Sequence, residues 1–321
     1  MAETDSKSTS IPYQPPLFTL TPRGDLVRPP AEIPVLNPGS SLEVARWWYR
    51  RHLEQLRRPI NTVASYMYDL SLFQDYVGPI AVERITRQHI GTFLDRAQTK
   101  STRKRRLTSV GGFFDFLIKN EKILTVDPSE GFHPDFIQLK TPEVLFPTEQ
   151  ETILVAARAE NLRTYLIVRL LLRLGLTRAE LLGLKEEHVD MSDAVHPVVY
   201  VMYADPRWQP KERKLAADED FGVAFRQFLI EYRPRQHLFE IMPQSVNKLV
   251  DRVAADAEIR KRVTPQSLRD TFAVEQAKRL IDQQTPQPLI EKFLLQILGL
   301  APDSRNRRSV GRYIKLAQPP M

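Results

Sequence analysis

The chain has 321 residues, no cysteine and a formal net charge of +7 at pH 7, which together allow two ordinary domains and favour a polyanionic partner. The lack of cysteine excludes disulfides, thiolate metal ligands and cysteine nucleophiles, and it fits a reducing compartment. The N-terminus lacks the basic stretch and apolar run of a secretory signal, and no segment approaches the roughly 18 apolar residues that span a bilayer, so we expect a cytoplasmic protein without a membrane partner.

Residues 1–40 contain eight of the 25 prolines. Proline fixes φ and removes a backbone donor, which disfavours regular structure at this density. We therefore predict a flexible arm. Either it docks on a partner subunit or on DNA, or it is an expendable tail.

Apolar residues recur at helical spacing from residue 41 to about 132, as in Val44, Trp47 and Leu53. This periodicity predicts four or five helices in a first domain, 41–132. The same stretch carries 15 basic and 10 acidic side chains. Such a local excess favours a nucleic-acid partner, because each phosphate that Lys or Arg neutralises releases a condensed counterion.

A basic block, Arg103 to Arg106, precedes an aromatic stripe within this domain. The pattern predicts an amphipathic helix with a cationic N-terminal end, where backbone donors and side-chain charge both favour phosphate. The alternative is an ordinary solvated face. The residues of the block are Arg103, Lys104, Arg105 and Arg106.

The second half of the chain is also predicted to be mainly α-helical, with a small β-sheet. Residues 133–147 have the composition of a linker to a second domain, 148–321. Thr148 to Glu151 fits a capping box that opens a helix, and residues 166–176 are strongly apolar. A strand is expected at 198–203, with a second, doubtful one at 214–221. The rest of this domain is predicted to be mostly helical, with prolines separating its helices.

The segment Thr264 to Ala273 reads Thr-Pro-Gln-Ser-Leu-Arg-Asp-Thr-Phe-Ala, and Tyr313 follows downstream in Gly-Arg-Tyr-Ile-Lys. It resembles the tyrosine recombinase and phage integrase family, whose members read Thr-Pro-His-x-Leu-Arg-His-Thr-Phe-Ala at this place. The resemblance implies a helical core-binding (SAM-like) domain at 41–132 and a catalytic-type domain at 148–321. It also implies double-stranded DNA as partner, with no metal, nucleotide cofactor or small-molecule substrate.

In such a site, the resemblance makes Tyr313 the counterpart of a nucleophile that becomes joined to a 3′ phosphate of DNA. Arg269 corresponds to one of two arginines that donate to the phosphate oxygens. Gln266 replaces a histidine, so it can donate a hydrogen bond but cannot carry a proton. The structural alternatives are a buried aromatic for Tyr313 and an exposed helix arginine for Arg269.

The chain departs from the family at the first arginine, which sits in Thr-Gly-Leu-Arg-x-Ser-Glu-Leu. Without a gap, Thr177 occupies its place, and Thr177 with Glu180 fits a capping box. Arg178 lies one residue on, about 100° around a helix, and would reach the same phosphate only if the turn were remodelled.

The chain also departs from the family at two positions whose side chains, in the family, take part in proton transfer at the site. Trp208 falls where the family has a lysine in a β-turn, and its candidate substitutes are Arg207, Lys211 and Lys214. The family's last histidine or tryptophan follows Leu-Gly, where this chain has Leu300. An insertion that is rich in arginine lies between Leu300 and Tyr313, with Arg305, Arg307 and Arg308.

Three functions follow from these observations. The first is a sequence-specific DNA-binding protein of recombinase-like fold with degenerate catalysis, acting as a repressor, an architectural factor or an accessory subunit that self-associates on DNA. The second is a divergent active recombinase cleaving through Tyr313, with Arg178, Lys211 or Lys214 rebuilding the site. The third is an all-helical protein-interaction module. The expected DNA contacts are Arg103, Lys104, Arg105, Arg106, Arg178, Lys214, Arg269, Arg307 and Arg308.

Overall fold

A computed structural model describes residues 19–20, 26–27, 34–137, 141–193 and 195–318. The chain divides into an N-terminal unit, Met1–Leu139, and a C-terminal unit, Lys140–Met321. Both are built mainly of α-helices, and the C-terminal unit adds a small β-sheet, which confirms the predicted fold class. Over the described residues, we find no helix with the length and apolar character needed to cross a membrane. The finer boundaries of the arm, first domain and linker stay predictions.

The N-terminal unit has four α-helices within residues 34–137, in agreement with the four or five predicted. A 3₁₀ turn, Val82–Arg84, separates the second from the third, and a π-helical turn, Phe116–Asn120, ends the fourth. The α-helices are α1 (Leu42–Gln55), α2 (Ile60–Val77), α3 (Arg87–Asp95) and α4 (Lys100–Asp115).

Local sequence explains where these helices begin. Hydroxyl side chains of Ser41, Thr86 and Thr99 cap α1, α3 and α4 by accepting hydrogen bonds from backbone N–H groups that have no partner within the helix. The apolar faces then meet in one core, where the rings of Phe73 and Phe93 lie 5.0 Å apart. Side-chain capping and apolar periodicity together account for these helices, which were predicted from the periodicity alone.

Most of the predicted arm lies outside the described residues. Within it, two short strands, β1 (Thr19–Leu20) and β2 (Leu26–Val27), pair antiparallel. Near its end, the Pro34 carbonyl accepts a hydrogen bond from the Trp48 indole at 2.8 Å, and the Ser40 carbonyl accepts one from the Val82 N–H. Residues 34–40 are thus bonded to the helical domain that follows.

The C-terminal unit places a three-stranded antiparallel sheet, in the order β3-β4-β5, among eight α-helices of the described residues. The strands are β3 (Val189–Asp190), β4 (Val198–Val201) and β5 (Arg213–Ala216). The helices are α5 (Pro147–Glu160), α6 (Leu162–Arg173), α7 (Arg178–Gly183), α8 (Glu219–Tyr232), α9 (Pro243–Asp256), α10 (Pro265–Asp282), α11 (Gln287–Ile297) and α12 (Ser304–Ala317).

Two local predictions need correction. Helix α5 begins at Pro147, before the predicted Thr148 cap, because the Glu149 carboxylate accepts a hydrogen bond from the Phe146 N–H at 2.7 Å. The doubtful second strand exists but ends at Ala216. Asp218 instead caps α8, accepting from the Phe221 N–H at 3.0 Å, so the acidic run opens a helix.

Helix α10 is the buried helix that positions the candidate site. Thr264 caps it and Pro265 occupies its first turn, where a missing N–H leaves no bond unmade. Its residues from Ser267 to Val274 are all buried, and it packs against α6, α11 and α12. Side chains on α10 therefore meet partners from several parts of the C-terminal unit.

Candidate functional site

Tyr313 lies on α12 and is 8% exposed, within an apolar cluster that includes Phe272 and Leu298. Its hydroxyl donates a hydrogen bond to Asp270 Oδ1 on α10 at 2.7 Å. Burial raises the pKa of the Tyr313 hydroxyl, and the charge of Asp270 raises it further. The candidate nucleophile is therefore held in its protonated form.

Gln266 shares the same acceptor as Tyr313. Its side-chain amide donates to Asp270 Oδ1 at 2.8 Å, one helical turn along α10. Gln266, Asp270 and Tyr313 form what we call the carboxylate network. Sequence reasoning placed Gln266 and Tyr313 in one site but gave Asp270 no role, although it stands where the resembling family has a second histidine.

Arg269, next to Asp270 on α10, is buried and makes its hydrogen bonds outside this network. Its side chain is 8% exposed, and its two terminal nitrogens donate to the backbone carbonyls of Gly175 and Leu298. Burial lowers the pKa of Arg269, an effect that the carboxylate of Glu180 opposes from 3.6 Å. The exposed-arginine alternative is wrong. Contact with a phosphate stays a prediction.

Glu180, on α7, is the centre of a second group that we call the arginine cluster: Glu180, Tyr203, Arg213 and Arg269. Arg213 binds both Glu180 carboxylate oxygens, at 2.8 and 3.0 Å, and the Tyr203 hydroxyl donates to one of them. Burial alone would raise the pKa of Glu180. The hydrogen bonds from Arg213 and the charges of Arg213 and Arg269 outweigh it and hold that pKa at about 2.

Sequence reasoning did not predict this cluster. Glu180 and Arg213 stood within the compared motifs but received no functional role. The available signal was the presence of charged residues inside apolar segments, which cannot be buried without a partner of opposite charge.

Thr177 is the N-cap of helix α7. Its Oγ1 accepts from the Glu180 N–H at 3.2 Å, while the Glu180 carboxylate accepts from the Thr177 N–H at 2.7 Å. This reciprocal pair confirms the predicted capping box. Arg178 follows in the first turn of α7 and is exposed, and it donates to the Asn247 side chain on α9 at 3.0 Å. The turn is an ordinary helix start.

The two candidate lysines lie on the β4–β5 hairpin, each over an aromatic ring. Lys211 Nζ is 4.2 Å from the centre of the Trp208 ring, in a 3₁₀ turn, Pro206–Lys211. Lys214 is exposed on β5, with its Nζ 5.3 Å from the centre of the Tyr200 ring. Both contacts have cation–π geometry, so each ammonium is attracted to a ring in the hairpin.

The arginine-rich insertion forms the start of α12, where Asp303 caps the helix. Arg307 pairs with Glu291 on α11 at 3.1 Å, and Arg308 donates to the Ser304 carbonyl at 3.2 Å. Arg305 is exposed. The insertion therefore extends the helix that carries Tyr313 rather than adding a loop.

Three of the four residues in the basic block contact their own unit. Arg105 pairs with the fully buried Asp69 at 2.9 Å, and Arg106 donates to the Phe93 carbonyl at 2.9 Å. Arg103 lies 3.3 Å from the carboxylate of Asp135. Lys104 is exposed and presents its charge to solvent. Arg103, Arg105 and Arg106 therefore bind other groups of the unit, whereas Lys104 contributes a surface charge.

Comparison with known proteins gives both a family model and relatives that match over most of their length. Residues 48–121 match the phage integrase N-terminal SAM-like domain. A tyrosine recombinase of Pseudothermotoga lettingae is 26% identical over 259 residues, covering 75% of this chain and 86% of the relative. Tyrosine recombinase XerC of Halalkalibacterium halodurans is 23% identical over 256 residues, covering 72% and 82%.

Solved structures share the fold. A lambda integrase dimer bound to a COC′ core site superposes with a TM-score of 0.64 at 16% identity, covering 86% of this chain and 77% of that one. XerH recombinase bound to palindromic difH substrate superposes with a TM-score of 0.63 at 16% identity, covering 84% and 82%. At this level of identity, the likeness shows a shared fold.

Proposed function

We propose that this chain, which is similar to tyrosine recombinases and carries a phage integrase SAM-like domain, binds double-stranded DNA in the cytoplasm with a degenerate cleavage site. The observation that carries the proposal is the helix cap made by Thr177, at the place of the family's first arginine. Removing one preorganised donor to developing charge typically lowers a rate by on the order of 10² to 10³. Trp208, Gln266 and Leu300 replace further polar groups of the family site.

Binding is less sensitive to these changes than cleavage. Affinity for duplex DNA accumulates over many phosphate contacts, whereas the rate of cleavage depends on the few groups around one phosphate. The exposed cations Lys104, Arg178 and Lys214 are suited to such contacts. In this proposal, residues 41–132 form the core-binding domain and residues 148–321 the catalytic-type domain, joined by 133–147.

The proposed role is that of a repressor, an architectural factor or an accessory subunit. Self-association on DNA is part of it, by analogy with the lambda integrase dimer and tetramer that share the fold. The second candidate is an active recombinase that cleaves DNA through Tyr313. The observation favouring that candidate is that Tyr313 and Arg269 are both retained, on the packed helices α12 and α10.

Capture of DNA on immobilised protein separates the two candidates. We expect wild-type protein and Tyr313→Phe to retain sheared genomic DNA equally in a native wash, and to release it in a denaturing detergent, because no phosphotyrosine forms. Tyr68→Phe, which removes an exposed hydroxyl, is the matched control. Detergent-resistant DNA that disappears only in Tyr313→Phe would establish the active recombinase. Absence of retained DNA in every wash would refute binding.

Lys104→Gln is expected to weaken duplex binding without changing the fold. If Lys104 neutralises one phosphate, the slope of log affinity against log salt should become shallower by about 0.9. Lys119→Gln is the control, since Lys119 is exposed but paired with Asp115 at 2.8 Å. Fluorescence anisotropy over a salt series measures both slopes. An unchanged slope would remove Lys104 from the interface, and salt-independent binding would favour the protein-interaction module.

A further inference from the structure

The carboxylate of Asp270 occupies an unusual position beside the candidate nucleophile. Asp270 is 9% exposed, and its Oδ1 accepts hydrogen bonds from both the Tyr313 hydroxyl and the Gln266 amide. Both donors are neutral groups, so neither cancels the charge of the carboxylate. A buried anionic oxygen thus lies 2.7 Å from the tyrosine oxygen.

The neighbouring cation, Arg269, makes its hydrogen bonds with other groups. Arg269 lies next to Asp270 on α10, but its terminal nitrogens donate to the carbonyls of Gly175 and Leu298 and lie near the Glu180 carboxylate. The charged groups that act on the Tyr313 hydroxyl are Asp270 and Arg269 from α10 and Arg312 from its own helix. Burial raises the Tyr313 pKa most, Asp270 raises it further, and the two arginines lower it. The net direction is upward, and Asp270 affects the Tyr313 pKa more than either arginine does.

A DNA phosphate in position to react with Tyr313 would lie roughly 3–3.5 Å from the tyrosine oxygen. It would then be close to the Asp270 carboxylate in a buried site, where like charges repel much more strongly than in water.

We propose that Asp270 is an electrostatic block that excludes a DNA phosphate from Tyr313, so that duplex is bound without being cut. This inference rests on the proposed function and names the residue that separates binding from cleavage. Asp270 acts through its charge, and the exclusion applies to the phosphate of any DNA sequence.

The test compares Asp270→Asn with Asp282→Asn. The two changes remove one negative charge each from α10, but Asp282 is exposed at the end of the helix. The full-length proteins are labelled with tyrosine carrying ¹³C at the ring carbon that bears the oxygen, and Tyr313→Phe identifies the Tyr313 resonance. The resonance is followed against pH, and affinity for sheared duplex DNA is measured at low salt.

With Asp270→Asn, we expect Tyr313 to titrate at lower pH than in the wild type and the affinity for duplex to rise roughly three- to tenfold. Asp282→Asn should leave the titration unchanged and alter affinity by less than about twofold. Asp270→Ser serves as the second variant if the asparagine variant does not fold.

Two outcomes would overturn the inference. An unchanged Tyr313 titration in both Asp270 variants would show that the carboxylate does not hold the hydroxyl. A shifted titration with unchanged duplex affinity would show that it does not exclude phosphate. If the wild type and all variants fail to bind duplex, the proposed function itself fails, and the titration still reports whether Asp270 controls Tyr313.

Discussion

Glu180→Gln is expected to lower the free energy of unfolding of the C-terminal unit by about 3–5 kcal/mol, since removing one partner of a buried ion pair leaves the other charges uncompensated. Glu180 and Arg213 have side chains that are 5% and 3% exposed, and Arg269 is 8% exposed. Glutamine preserves the shape of the side chain but leaves both guanidinium groups without an anion.

The Glu180 carboxylate should also make the stability of the C-terminal unit depend on pH. The pKa of Glu180 in the folded protein, about 2, lies below its ordinary value of 4.5, so the carboxylate stabilises the fold above about pH 5. That contribution, on the order of 3 kcal/mol, is lost as pH falls from about 5 toward 2. Because the Gln variant has no such group, the difference in stability between the two proteins should shrink with acid.

Urea unfolding at neutral and acid pH measures both effects. Glu187→Gln is the control, because Glu187 is 70% exposed and its substitution should change stability by less than about 0.5 kcal/mol. If Glu180→Gln were as stable as the control at neutral pH, the arginine cluster would not support the fold.

Gly175→Ala should also destabilise the C-terminal unit strongly, by roughly 2–5 kcal/mol in sum. Gly175 has a φ of +62°, where a side chain is strained, and an added Cβ would lie 2.2 Å from a ring carbon of Phe272. Phe272 is buried and cannot move aside freely. The Gly175 carbonyl also accepts a hydrogen bond from Arg269, so the substitution would disturb the arginine cluster.

Gly183→Ala is the matched control for this prediction. Gly183 ends α7, and a Cβ added there meets no atom within 4 Å. We expect it to leave the unfolding midpoint nearly unchanged, while Gly175→Ala lowers it in the same thermal or urea experiment. Equal midpoints for the two variants would mean that the turn before Thr177 relaxes without strain.

Arg269 has a structural role as well as the role that the resemblance implies. Arg269 is retained in sequence, yet its hydrogen bonds join α10 to the turn after α6 and to the end of α11. A side chain that the resemblance assigns to a phosphate therefore also supports the fold. Loss of affinity in an Arg269 variant would need a stability measurement beside it, because unfolding and lost contact both weaken binding.

The sequence by itself determined the features that depend on residues close together in the chain. Helical periodicity predicted the mainly α-helical fold, and the spacing of Thr177 and Glu180 predicted their capping box. Both arise from hydrogen bonds within one turn of helix, so local spacing is sufficient. The motif around Arg269 and Tyr313 indicated a resemblance to tyrosine recombinases, because its order survives even where single residues have changed.

Only the tertiary structure decided which side chains meet. Asp270 contacts Tyr313 across 43 residues, and Glu180 contacts Arg213 across 33. No local spacing encodes such pairs. Their cause is burial, since a charge or hydroxyl enclosed by packed helices must find a partner among whatever groups the fold brings near it. The direction of Arg269, toward two carbonyls and Glu180, followed from that requirement rather than from its motif.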